Sequence, residues 1–204
     1  IPTQGIGEWC HGTYCPEIND SVFRSLAVGD RFDVEGIPFA TPQHGKNIAF
    51  VSLWDNYPSA LTIPVKAQKA SVAHILLAGS TNHMQTHMDN AIIIANYKDG
   101  TSDTLHLIPP FNYCPIEQDF YVDGKAFQTV EPRPVRICLA TGTVSRNLGT
   151  ALSIQSDEVY GREIPGGAAQ LLSMPLSPSK KLHSFTLIPL SNDIVVGIMG
   201  ITLR

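Results

Sequence analysis

The sequence predicts an all-β fold, an antiparallel two-sheet β-sandwich. Helical periodicity is scarce along the 204 residues. About ten short apolar runs recur instead, many with period-two alternation, and Gly, Pro, Asn and Asp fall between them. Strands that follow one another without intervening helices build a sandwich or a barrel, not a parallel sheet. The length suits a single domain. With 43% apolar and 16% charged residues the chain can bury a core without disulfide or metal staples.

Residues 1–30 read as a lead-in segment that packs on the sandwich, and residues 31–204 as the sandwich itself. Ile6, Trp9 and Tyr14 give the lead-in an apolar side. Within it, 20–26 reads as a short helix, with Asp20 or Ser21 as cap and Gly29 just past the end. Strands follow at 31–34, 48–53, 60–65, 71–77, 90–97, 102–108, 135–140, 151–155, 182–189 and 194–203. Residues 167–174, GAAQLLSM, read as a second and weaker helix stopped by Pro175.

Two hairpins stand out. Asp99-Gly100 signals a two-residue type I′ turn, with φ > 0 at both central residues. That register sets Ile94 opposite Leu105 and Ile92 opposite Leu107 on the core face. It sets Ile93 opposite His106 on an outer, solvated face. The other hairpin joins the last two strands through Ser191, Asn192 and Asp193. Both strands are nearly continuously apolar and are expected to be central. Gly197 and Gly200 leave room for a close neighbour or a bulge. Residues 109–134 and 156–181 are long connections, of the kind that often carries function.

Net charge is −4 and no Lys/Arg block exists, so neither nucleic acid nor an anionic membrane is expected as a partner. No apolar run approaches the ~20 residues of a membrane-spanning helix. The chain opens at Ile1-Pro2 without an initiator Met, which reads as a processed chain or a segment of a longer protein. Cys10, Cys15, Cys114 and Cys138 permit three disulfide pairings and single out none.

Three clusters are candidates for chemistry. AGSTNHMQTHMDN, 78–90, places His83 and His87 four apart with Asp89 behind, but lacks the Glu of a zinc hydrolase helix. No metal or other cofactor is assigned. A structural calcium held by Asp89, Asn90 and backbone carbonyls is one alternative. A polar connection that satisfies its own backbone is another, and a ligand-facing loop using Asn82, Gln85 and His87 is a third. LWDNYPS, 53–59, sets Trp54 and Tyr57 around Asp55 and Asn56. An aromatic face for the C–H side of a sugar ring, beside groups for its hydroxyls, suits carbohydrate; a core Trp54 and an ordinary turn is the plainer alternative. The third cluster, 109–127, offers Asn112 and Tyr113 as ligand contacts, with Glu117 and Asp119 as ligand contacts or a carboxylate pair. No catalytic residue is assigned. Cys114 has no clear His partner, and no serine lies in a G-x-S-x-G elbow.

GIPF (36–39), DNYPSALTIPV (55–65), AGSTN (78–82), NYKDGT (96–101) and NYCPIEQD (112–119) occur in this order. The series resembles a C-terminal jelly-roll domain of unknown function in large secreted glycosidase-like proteins of gut bacteria. It also resembles galactose-binding-like accessory modules. The resemblance runs from about Gly36 to Cys138. It implies a non-catalytic accessory module at the periplasm or outer cell surface. Such a module would bind carbohydrate or brace the catalytic domain of the same longer chain. A structural interaction domain, or a direct contribution of carboxylates to a glycosidase site, are the alternatives. The resemblance supplies no contact residues.

Overall fold

A computed structural model describes residues 17–40, 47–54, 57–81, 85–119, 129, 131–154 and 163–204. The chain is all-β, and its two main antiparallel sheets pack as a sandwich. Its elements are α1 (Ser21–Ser25), β1 (Arg31–Val34), β2 (Ile37–Ala40), β3 (Ala49–Ser52), β4 (Leu61–Gln68), β5 (Val72–Ser80), β6 (Ala91–Tyr97), β7 (Ser102–Leu107), β8 (Val135–Cys138), β9 (Val144–Ser145), α2 (Leu148–Ala151), β10 (Ala168–Pro175), β11 (Leu182–Pro189) and β12 (Val195–Leu203). The larger sheet runs β3-β12-β5-β10-β8-β9 and the smaller β4-β11-β6-β7, while β1 and β2 pair apart.

The core follows strand alternation. Ala73, Ile75 and Leu77 of β5, Leu172 and Met174 of β10, and Val196 and Ile198 of β12 point inward. They meet Ala91, Ile93 and Ala95 of β6 and Phe185 and Leu187 of β11. The opposite face of the large sheet is also covered. Leu76, Ala78, Ile137 and Leu171 pack beneath Phe23 of α1 and Phe32, Val34, Ile37 and Phe39 of the β1–β2 hairpin. A sheet covered on both faces explains why these strands read as continuous apolar runs.

Several expectations change. The β6–β7 hairpin pairs Ile93 with Leu105 and Ile92 with His106, one residue out of the anticipated register. Of the turn residues only Gly100 has positive φ, and Tyr97 donates to the Thr101 carbonyl, so the loop is Lys98-Asp99-Gly100. A three-residue loop with glycine at the left-handed position replaces the type I′ turn. A one-residue slip turns a strand over. Ala91, Ile93, Ala95 and Tyr97 therefore enter the core, and Ile92 and Ile94 lie half-buried on the outer face. His106 is exposed on that face, across from Ile92.

The Ser191-Asn192-Asp193 bend joins no hairpin. β11 belongs to the small sheet and β12 to the large one, so the bend crosses the sandwich. Both strands are central, as their composition requires. A Cβ on Gly197 would approach Ile48 Cγ2 at 2.9 Å and one on Gly200 would approach Phe39 Cδ1 at 3.0 Å. A bulge falls between Ile198 and Gly200.

GAAQLLSM is no helix. It supplies β10, which lies between β5 and β8 and is buried on both faces over most of its length. Pairing to two neighbours outweighs the helical preference of Ala, Gln and Leu. The connection expected at 156–181 therefore holds a central strand. No strand forms over 151–154: Ala151 ends α2, whose cap Asn147 accepts from Thr150 N, and 152–153 follow as a turn; Gln155 lies outside the described residues. The short strands β2 and β9 were not anticipated. α1 matches the expected helix, but its N-terminus is held differently. Asn19 Oδ1 accepts from Ser21 N and Oγ, while Asp20 pairs with Arg24 at 2.7 Å.

Candidate functional site

The antiparallel register brings four connections to one end of the sandwich. Ser52, Val195 and Ser80 are aligned across the large sheet. Ala91 aligns with Pro189 and Leu107 across the small one. Residues 53–54 and 57–60, 81 and 85–90, 108–119, and 190–194 leave the strands at this end.

The rim of that end is ordered from within by Asn90. It is fully buried, with its side-chain oxygen taking the Thr81 hydroxyl and its amide donating to the carbonyls of Gln85 (2.8 Å) and Met88 (3.2 Å). Its carbonyl accepts from Leu190 and Ser191 N, which ties the 81–90 connection to the crossover. His87 N donates to Pro109 O at 2.7 Å, and the His87 ring meets Phe111 edge-on at 4.9 Å. Asn112 accepts from Ile108 N and donates to His106 O, closing the turn at 108–112. Asp89 Oδ2 lies 3.0 Å from His106 Nδ1.

Gln85, His87 and Asn112 thus form one side of the rim. Trp54 and Tyr57, both half-buried, lie at the other side beyond β3. Ser52 anchors that side. Its hydroxyl donates to Ile194 O at 2.6 Å, and Tyr57 packs edge-on against Phe50 at 5.4 Å. Leu53, Met88 and Leu190 are exposed on the same rim. Asn56, Asn82, Asp55, His83, Cys10 and Cys15 lie outside the described residues, as do Ile6, Trp9 and Tyr14.

Tyr113, Glu117 and Asp119 are not on the rim. Their segment turns inward through the end of the large sheet, where Ile116 N donates to Gly79 O and Ala168 N donates to Ile116 O, each at 2.7 Å. The Tyr113 ring is buried in the sandwich core, and its hydroxyl donates to Ser80 O at 3.1 Å. A fully buried ring offers no stacking face, so the sugar-contact role expected for Tyr113 is corrected to a core role. Glu117 and Asp119, 6% and 3% exposed, leave the rim for the same reason.

What gathers them is Arg136 of β8, which the sequence reading missed. The six-stranded sheet is wider than its partner, and the 113–119 segment and α2 roof the β8 end. Under that roof the fully buried Arg136 donates to the carbonyls of Pro115 (2.8 Å), Gln118 and Ala168 (3.2 Å), and lies 3.8 Å from Asp119 Oδ1. Asp119 Oδ2 accepts from Gly149 N in the first turn of α2. Gln170, opposite Arg136 on β10, accepts from Cys114 N and donates to Asn112 O. The available signal was a charged or amide residue inside an apolar strand, VRIC and AAQLL, because such a residue must find internal partners. Burial pushes the Cys114 thiol up to about 12, which leaves it a poor nucleophile at neutral pH. Cys114 and Cys138 are both buried free thiols.

No trio of His, Cys, Asp or Glu among the described residues has metal-holding geometry. Asn90 spends its side chain on the loop itself, and Asp89 is paired with His106. A separate apolar cleft of about 400 Å³ runs along the side of the sandwich between the edge strands β3 and β4, lined by Ile48, Ile63, Val65, Met199 and Ile201. None of the residues singled out for ligand contact borders it. Compared with protein-family models, curated proteins and solved structures, the chain matches none.

Proposed function

We propose that this chain is a non-catalytic β-sandwich module of a secreted carbohydrate-active protein and that it takes a carbohydrate at the rim. One observation supports this reading: connections far apart in sequence leave the same end of the sandwich, with Gln85, His87 and Asn112 on one side of it and Trp54 and Tyr57 on the other. Aromatic faces with a few amide and imidazole groups are the chemistry that recognises sugar rings and their hydroxyls. The resemblance to accessory modules of glycosidase-like proteins points the same way, as a likeness of motifs. Calorimetric titration with a panel of soluble polysaccharides tests it. A binder should appear, and Trp54→Ala should weaken it about tenfold or more. Binding that survives both Trp54→Ala and His87→Ala moves the site elsewhere.

A second use of the same rim is supported by the exposed Leu53, Met88 and Leu190. Apolar side chains grouped on one end suit a bracing contact with a neighbouring catalytic domain. Silence across the panel, with loss of that contact in a Leu53→Ser, Leu190→Ser variant of the longer chain, selects bracing. The hydrolase alternative needs two carboxylates flanking a pocket. Glu117 and Asp119 are buried and Asp89 is paired with His106, so the described residues lend it no support.

A further inference from the structure

We propose that Glu117 is a proton-operated lock: neutral, it lets the 113–119 segment stay wedged in the end of the large sheet, and ionised, it loosens that segment and the rim turn attached to it. The proposal stands on the arrangement of charged groups and is independent of what the rim binds. Among the described residues, two buried carboxyl groups, Glu117 and Asp119, share one region with a single buried guanidinium, Arg136. Asp119 claims that guanidinium at 3.8 Å and Gly149 N at 2.6 Å. Glu117 Oε2 is buried and has no hydrogen-bond partner, and the donor facing the carboxyl is its own backbone N–H.

The charged and titratable groups around Glu117 can be taken element by element. Among the described residues β8 contributes Arg136 and the buried Cys138 thiol. The chain ahead of β8 contributes Arg133, which is paired with Glu131 and acts on Cys114. The strand-like piece ahead of β10 contributes Glu163, a like charge across the Gln118–Glu163 bridge. Its own segment contributes Tyr113, Cys114 and Asp119. The end of β5 (76–80), β10 and α2 contribute no titratable side chain. A buried carboxylate with one shared cation and an acidic neighbour is unfavourable. Burial pushes the Glu117 carboxyl up from 4.5 to about 7.

The sign follows from linkage. A carboxyl that holds its proton more tightly in the folded chain contributes fully below its unfolded value. That contribution is lost as pH rises to the folded value, and is flat above it. The cheapest relief of the ionised state is local, at the three backbone bonds that flank Glu117, Ile116 N to Gly79 O, Ala168 N to Ile116 O, and Ile164 N to Glu117 O, beside the side-chain bonds that Gln170 and Arg136 make to the segment. Their release would free the chain just after the 108–112 turn.

Hydrogen exchange corrected for the intrinsic pH effect tests this, with denaturant titrations at pH 5 and pH 8. In the wild type, the amides of Ile116, Ile164 and Ala168 should open more at pH 8, and the unfolding constant should rise by on the order of a hundredfold. Glu117→Gln should remove that difference while the contributions of the histidines remain. An unchanged difference in Glu117→Gln overturns the proposal. Should that variant not fold, carbon-13 titration of the wild-type carboxyl decides. A midpoint near 7 supports the lock and one near 4.5 overturns it.

Discussion

Arg136 does at one position what a cap or a turn does elsewhere: it satisfies carbonyls that the fold has taken away from water. Pro115, Gln118 and Ala168 each offer it an oxygen. Arg136→Ala leaves these carbonyls buried without their donor and the Asp119 carboxylate without its ion-pair partner, and should cost about 3–5 kcal/mol in urea denaturation. Arg136→Lys should recover only part, because an ammonium lacks the planar fork that spans separate acceptors. Residue identity made this centre half legible. Glu117 and Asp119 stood out as carboxylates close in sequence, but whether they face solvent depends on a strand that begins sixteen residues further on, at Val135. Tyr113 and Asn112 show the same limit. They are adjacent in sequence, yet one is core and the other rim, because the chain turns inward between them.

Among elements, the β6–β7 hairpin shows where local reading stops. Asp-Gly is compatible with a two-residue and a three-residue loop, and the two differ in the conformations of Lys98 and Asp99. Asp99 accepts from Thr101 N and Oγ, which holds the wider turn and leaves Gly100 alone at φ +83. A Cβ on Gly100 would meet nothing within 4 Å, so Gly100→Ala tests conformation without crowding. It should lose about 1–2 kcal/mol in thermal or denaturant unfolding, and Gly100→Asn less, since Asn tolerates the left-handed region. Equal stability of the Ala variant would remove this account of the register. β10 failed in the opposite way. Its composition favours helix, and only the flanking β5 and β8, neither of them its neighbour in sequence, make it a strand. Strands with period-two patterns or tight turns at both ends, such as β1, β6 and β11, were readable nearly residue for residue.

Across the whole molecule, the fold class was legible because many short apolar runs without helices leave few ways to bury them. The order of strands was not, because most of the large sheet is paired over long separations. β3 and β5 are both bonded to β12, and β10 bridges β5 to β8. The rim inherits this. Its two sides become neighbours only once both sheets have closed. The candidate site therefore cannot be read from any single motif, although Trp54, Tyr57, Gln85 and His87 were each visible as residue types.

The place of β12 has a bearing on biosynthesis. A ribosome releases β3 and β5 long before the strand that must lie between them, so the nascent chain carries two unfilled edges until residues 195–203 emerge. Early compaction would rest on the β6–β7 hairpin and the β1–β2 cover, with the small sheet closed by β11 and the large sheet by β12, both near the end of the sequence. A chain stopped before Val195 should therefore emerge protease-sensitive and bound to chaperones. Supplying the missing strand as a separate peptide should restore protection, whereas a truncated chain that resisted proteolysis unaided would place its cohesion elsewhere.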